Sequence, residues 1–334
     1  MADSTTGLRL LLVGDVMLGR GVNEVLRQQD AAYPWGDTLA LFAGTDWRAC
    51  NLECVISDRG EPWEPELKAF HFRSDLKNLA VLQAAGIDTV TLANNHSLDF
   101  GRDALFDTLR ALDAAGIRHA GAGPDLAAAS ALAVSTVKGR RIGVLAFTDN
   151  EPDWEAKPTR AGVWYCPIDL DDERAAALLD AVAKARKAVD KVIVSAHWGP
   201  NWGYEPPPAH RTFAHALIDR GADVIFGHSG HVFRGVEIYR GRPILYCAGN
   251  FVDDYAVDEV ERNDESFVFV LELDDTIRRI NLYPTVIRSC QAHRAGAARS
   301  QIIAQKMQVL CAKLGSDTQW SAAQRLLQIK VAQS

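Results

Sequence analysis

Paired cysteines, basic runs and long apolar stretches are all scarce in this sequence, and each scarcity narrows what the chain can be. The six cysteines, Cys50, Cys54, Cys166, Cys247, Cys290 and Cys311, contain no Cys-x-x-Cys pair. Neither a cysteine zinc site nor a dithiol redox motif is expected, and a chain of 334 residues needs no disulfide staples to build a core. The thiols read as mostly buried groups in a reducing compartment. No dense Lys/Arg run occurs and the net charge is −7. No nucleic-acid partner is therefore expected, because phosphate binding needs a clustered positive field. The apolar run from Leu8 to Val13 is interrupted by Arg9, and an acid, Asp3, stands where a signal segment would be basic. No stretch approaches a membrane span. The expectation is a cytoplasmic chain without a membrane anchor; composition sets no oligomeric state.

What is present is strand and helix in alternation, with hairpins later. Short apolar runs at Leu8–Val13, 49–56, 87–92, 191–196 and 223–226 predict buried strands. Stretches at 75–85, 102–115, 171–188 and 208–220 predict helices between them. Residues 69–73 alternate like a strand, and 59–66 reads as a Pro-rich acidic loop. Lys138-Gly139-Arg140 and Arg240-Gly241-Arg242 each separate two strand-like runs, which predicts hairpins. Runs at 267–273 and 277–283 predict a last strand pair, and a helical stretch is expected from about Arg299. This order predicts an α/β fold of mixed sheets with helices outside. We expect one domain over 1–315 and a C-terminal helical tail over 316–334.

The chemistry lies where the strands stop. The run Ile87–Leu92 gives way to Asn94, Asn95 and His96, and other strands end at Asp15, at Glu53, at His197 and at His228 with His231. A lone histidine is ordinarily a satisfied core group, and Gly-Asp is ordinarily a turn. Carboxylate, amide oxygen and imidazole at the carboxyl ends of several strands instead suit a ligand site. The donor set fits one or two borderline divalent ions, Mn, Zn or Fe. The absence of cysteine at these ends argues against a closed structural zinc site.

The blocks Gly14-Asp15-Val16-Met17-Leu18-Gly19-Arg20, Asn51-Leu52-Glu53, Ala93-Asn94-Asn95-His96, Ala196-His197-Trp198-Gly199, Gly227-His228 with His231, and Ala248-Gly249-Asn250-Phe251 occur in that order. In them the chain resembles the CapA family of poly-γ-glutamate capsule synthesis, which is similar to calcineurin-like metallophosphoesterases. The resemblance implies a four-layer α/β/β/α sandwich. It implies Asp15 as first metal ligand, Glu53 as bridging carboxylate, Asn95 as amide ligand, and His197, His228 and His231 completing the shell. His96 would lie outside the shell and give a proton to the leaving group. The sequence departs from the metallophosphoesterase pattern at Met17, where a histidine is usual, at Asn51-Leu52-Glu53, and in the extra residue between His228 and His231.

Around this set, Arg20 and Arg234 are candidates for gripping a carboxylate or phosphate. Trp198 and Trp202, with Asn201 between them, would wall the substrate, and Asn250 would orient a ligand. The resemblance implies a metal-dependent hydrolase acting on a glutamyl or other amide, or on a phosphoester, with a small anionic or peptide substrate. It also admits a peptide epimerase, with Asp15 and His293 as base and acid on opposite faces, and a non-catalytic accessory protein of polyglutamate capsule synthesis.

Overall fold

A strand that is apolar at most positions on both faces needs cover on both, and Leu8–Val16 has it: only Arg9 is less than buried. In the computed structural model, which describes residues 7–63 and 68–331, this strand is the hub of a ten-stranded mixed sheet. It pairs in parallel with Trp47–Leu52 and Asn250–Val252 and antiparallel with Glu265–Leu273. Thr89–Thr91 and Arg118–Ala120 extend the sheet in parallel. A six-stranded sheet places Lys191–His197 between Arg140–Thr148 and Val224–His228, all parallel.

Side-chain parity divides the core. Leu8, Leu10 and Leu12 share one apolar cluster with Val144, Ile193 and Phe226 of the smaller sheet. Leu11 and Val13 face the other way, joining Leu105, Leu109 and Leu112 of the helix Gly101–Ala114. On the far side, Val192 and Val194 pack with Leu178 and Val182 of Glu173–Ala188 and Phe213 and Leu217 of Pro208–Arg220. Each sheet thus shares one apolar cluster with the other sheet and another with helices, consistent with an α/β sandwich. Both expected hairpins form, with Lys138-Gly139 and Arg240-Gly241 in the left-handed region that tight turns require.

Three local expectations are corrected. The run 49–56 is not one strand: Trp47–Leu52 stays in the large sheet, while Val55–Ile56 leaves it and pairs with Arg73–Ser74. The break falls at Glu53, whose buried side chain leads into the site described below. Residues 69–72 are not strand; their alternation reflects a cavity wall, with Phe70 exposed and Phe72 buried. The C-terminal stretch is not a helical tail. The last helix, Ala297–Lys313, is followed by Thr318–Ser321 and Leu326–Lys330, a hairpin whose second strand pairs with Ile277–Arg288 of the large sheet. Leu327 and Ile329 reach the core at alternate positions, a period of two in a segment too short to show it plainly. Residues 64–66 of the expected loop and the final three of the expected tail, 332–334, lie outside the described residues. Among the described residues no helix is long and apolar enough to cross a membrane, and the cysteines are free, all buried except the half-buried Cys290.

Candidate metal centre

Parallel register does the first part of assembling the site. Asp15 stands opposite Asn51 in the large sheet, and His197 opposite His228 in the small one. Glycine precedes two of these residues because backbone presses against it. A Cβ on Gly14 would lie 1.8 Å from the Gly249 carbonyl oxygen, and one on Gly227 would lie 2.2 Å from that of Tyr246.

The two sheet edges meet at these ends. Asp15, His197 and His228 bring ligand atoms within 4.8 Å of one another, all buried. The Nδ1 atoms of His197 and His228 are 2.8 Å apart, and His228 Nδ1 lies 3.8 Å from Asp15 Oδ1. On its other edge His197 presents Nε2 to Glu53 Oε1 at 3.8 Å. Both carboxylate oxygens of Glu53, the His197 Nε2 and the Asn95 Oδ1 are buried without a hydrogen-bond partner. Unpaired buried groups of this kind are costly and rare. Carboxylate, amide oxygen and imidazole are the donors a divalent ion takes, and unpaired atoms of each kind occur here, with Glu53 beside His197, so the residues present fit a metal.

The electrostatics agree. Burial pushes Asp15 up to about 7, against hydrogen bonds from Asn51 and the Ser229 amide. Burial, then the negative charges of Asp15, Asp253 and Asp99, push Glu53 well up. Burial pushes His228 down to about 3 and drives His197 well below the usual imidazole range, with His228 adding to the effect. Burial is the leading cause at each of the four groups and holds them all toward their neutral forms.

Several partners orient these donors. Asn51 donates to Asp15 Oδ1 at 2.7 Å and accepts from Asn94 Nδ2 at 3.0 Å. Asn94 is thus a clamp, and its neighbour Asn95 is the one left open. Ser195 Oγ lies 2.7 Å from His228 Nε2, which fixes Nδ1 as the nitrogen facing Asp15. His231 Nδ1 lies 3.1 Å from Asn250 Oδ1. Met17 is buried in the apolar core, its sulfur accepting from the Gly19 amide at 3.0 Å, and takes no part.

A cavity of about 570 Å³ is lined by Asn95 and His231 of the expected donor set, with His96, Arg20, Lys68 and Tyr255 among others. His96 Nδ1 is 2.5 Å from Asp99 Oδ2, and Asp99 Oδ1 is 2.7 Å from Lys68 Nζ. The His96 ring stacks on Phe72 at 3.9 Å. Burial pushes His96 down to about 4 against the pull of Asp99. Arg20 lines the cavity, tied to Asp254 at 3.2 Å, and Asn201 lines it with Trp202.

Other expected residues lie elsewhere. Arg234 is buried and donates to the carbonyls of Gly203 and Pro200 at 2.9 and 3.0 Å, so it shapes the loop after Trp198 and is absent from the cavity lining. Trp198 is core, its indole donating to the Tyr246 carbonyl, and the exposed Trp202 is the cavity wall. Asn250 is buried behind His231 and does not reach the cavity surface. His293 is half-buried on the strand Gln291–Arg294, opposite Val286, and does not line the cavity. Asn51, Asp99, Lys68, Ser195 and Tyr255 escaped the sequence reading. Asp99, three residues after His96, carried the one usable signal.

The chain matches the family model "Bacterial capsule synthesis protein PGA_cap" over residues 9–255. It is 39% identical to a "probable polyglutamine synthesis accessory protein" of Mycobacterium tuberculosis, over 76% of this chain and 77% of that one. It is 32% identical to a "PGA biosynthesis protein CapA" of Bacillus subtilis, over 72% of this chain and 62% of the relative. A crystal structure of a hypothetical protein from Thermus thermophilus superposes with a TM-score of 0.50 at 16% identity, over 83% of this chain and 98% of that one, a likeness of fold.

Proposed function

Since the chain belongs to the bacterial capsule synthesis protein family PGA_cap, we propose that it is a metal-dependent enzyme that hydrolyses an amide or phosphoester bond in a small anionic or peptide substrate. A glutamyl peptide is the substrate class that the names of its relatives favour. The observation that carries the reading is the set of buried, unpartnered donor atoms on Glu53, Asn95 and His197 beside the Asp15–His197–His228 cluster. Asp15, Glu53, Asn95, His197, His228 and His231 would hold one or two ions. A bound Mn, Zn or Fe ion supplies an activated water near neutral pH and polarises an acyl or phosphoryl oxygen.

The remaining work falls to the chain's own side chains. With its proton on Nδ1 toward Asp99, His96 offers Nε2 as an acceptor. It takes a proton there and returns it to the departing amine or alkoxide, while Asp99 steadies the imidazolium. Arg20 and Lys68 place positive charge beside an anionic substrate, and Phe70, Phe72 and Trp202 form apolar walls. His293, the acid of the epimerase alternative, is absent from the cavity lining, and that supports hydrolysis over epimerisation.

The names of the relatives favour a second reading, an accessory role without turnover. One experiment separates the two. The purified protein is analysed for bound transition metal and screened for release of phosphate or amine. Metal with release, both lost in His228→Ala, is the expected result. Metal without release leaves the accessory reading, and full metal content in His228→Ala refutes the site.

A further inference from the structure

Tyr255 sits in the cavity wall with a hydroxyl that has no use inside the protein. The oxygen is buried and has no hydrogen-bond partner. Its ring is fixed from several sides: it lies 5.7 Å from Phe72, meets His231 edge-on at 5.5 Å, and carries the Arg20 guanidinium at 5.9 Å. The backbone is equally settled. The Tyr255 amide donates to Asp253 Oδ1 at 3.1 Å, and Asp254 before it accepts from Arg20 and from the Gly21 amide. The phenol therefore stands between the His231 edge of the candidate metal centre and the Phe72 ring on which His96 stacks. A tyrosine needed only for packing there would do as well as phenylalanine, since a buried hydroxyl without a partner destabilises the fold.

We propose, on the premise of the hydrolytic reading above, that Tyr255 is a further catalytic residue: its hydroxyl donates a hydrogen bond to the acyl or phosphoryl oxygen that gains negative charge during reaction. The position meets what such a donor requires. It is pre-oriented by ring contacts, shielded from bulk water, and shares the cavity with Arg20, Lys68 and His96. No proton changes hands in this role. The phenol keeps its hydrogen, and the oxygen is stabilised by the contact alone.

The test is Tyr255→Phe, which keeps the ring contacts and removes only the oxygen. Wild type and variant are loaded with Mn²⁺ and compared in metal content, in affinity for inorganic phosphate by calorimetry, and in turnover of bis-p-nitrophenyl phosphate and γ-glutamyl-p-nitroanilide. The variant should hold the same metal, bind phosphate about tenfold more weakly, and lose about 10²–10³-fold in kcat with KM changed little, the loss typical of one oxyanion donor. If neither chromogenic compound is turned over by wild type, the phosphate affinities decide. Unchanged phosphate affinity overturns the proposal, as does unchanged turnover where wild type is active. A fall in metal content would make Tyr255 a prop of the centre and overturn it too. A wild-type protein that holds no metal would instead overturn the reading on which this one rests, so the two failures are told apart.

Discussion

Replacing Glu53 with glutamine separates a metal site from a merely buried acid. Both Glu53 oxygens are buried and unpartnered, and burial with the neighbouring carboxylates drives its proton affinity up. Without metal, burial disfavours the ionised form of this carboxyl; glutamine is neutral at the same volume, so Glu53→Gln should leave the metal-free protein at least as stable as wild type. With metal the sign reverses, because the variant lacks a carboxylate donor. Metal at about 100 times its Kd stabilises the fold by about 2.7 kcal/mol. That corresponds to a rise in Tm of roughly 5–10 °C, at about 2–4 °C per kcal/mol for domains of 150–250 residues. A ligand loss that weakens binding about 100-fold, the upper range for disturbing even an outer partner, would leave only about 0.4 kcal/mol at the same concentration. The assay is thermal unfolding with Mn²⁺ or Zn²⁺ against EDTA. The pH dependence supplies a control. Asp15 rises from 3.8 to about 7 in the metal-free fold, so its contribution is full below pH 4 and is lost as pH climbs through 7. His96 and His228 act in the opposite sense, losing stability as pH falls below 6.5 toward about 4 and 3. Between pH 6.5 and 8 the two effects overlap and oppose one another, because the unfolded histidines are about half protonated at roughly 6.5. The shift produced by metal should grow across that interval, as the carboxyls and imidazoles lose the protons with which an ion competes. A Glu53→Gln protein that shows the full wild-type metal shift would refute the reasoning.

Three further outcomes follow from the same contacts. Ser195→Ala removes the partner of His228 Nε2 and should weaken metal binding about 10–100-fold in a direct titration; equal affinity would mean that Ser195 orients nothing. Asp99→Asn should keep the metal and lower turnover by about 10²-fold or more, since the partner that steadies His96 loses its charge; a wild-type rate would remove His96 from proton transfer. Leu327→Ala should destabilise the chain by about 2–5 kcal/mol in urea unfolding, whereas Gln319→Ala on the exposed side of the same hairpin should change little. Equal effects of the two would deny the C-terminal strand its place in the core.

The framework was legible because its signals are local. Apolar runs, Gly-containing turns and helix periodicity each act over a few residues, and the sheets, hairpins and long helices fall where they predict. The C-terminal hairpin was missed because four or five residues per strand carry too little periodicity to outweigh the helix just before them. Arg234 and Trp198 were misplaced for another reason. Their positions close to His231 and His197 in the chain say nothing about direction, and successive strand residues point to opposite faces. Trp198 therefore turns into the core while His197 faces the centre. Tyr255 and Ser195 gave no signal at all, because a hydroxyl is ordinary in sequence and becomes notable only when its partner, or its lack of one, is seen.

The site itself is half sequence and half packing. Within each sheet, parallel register brings Asp15 beside Asn51 and His197 beside His228, and the strand runs already imply that much. What no run implies is that the two sheets set these ends face to face, so that Asp15 comes within 3.8 Å of His228 and Glu53 within 3.8 Å of His197. That packing holds two carboxyls and two imidazoles toward their uncharged forms, with both Glu53 oxygens, the His197 Nε2 and the neighbouring Asn95 Oδ1 unpaired. An apolar set of the same volume would hold the sheets together without those penalties. The arrangement therefore works against the stability of the empty fold, and a divalent cation is the one kind of ligand that relieves the carboxyl and the imidazole terms together, because it favours the ionised acid and the unprotonated ring alike.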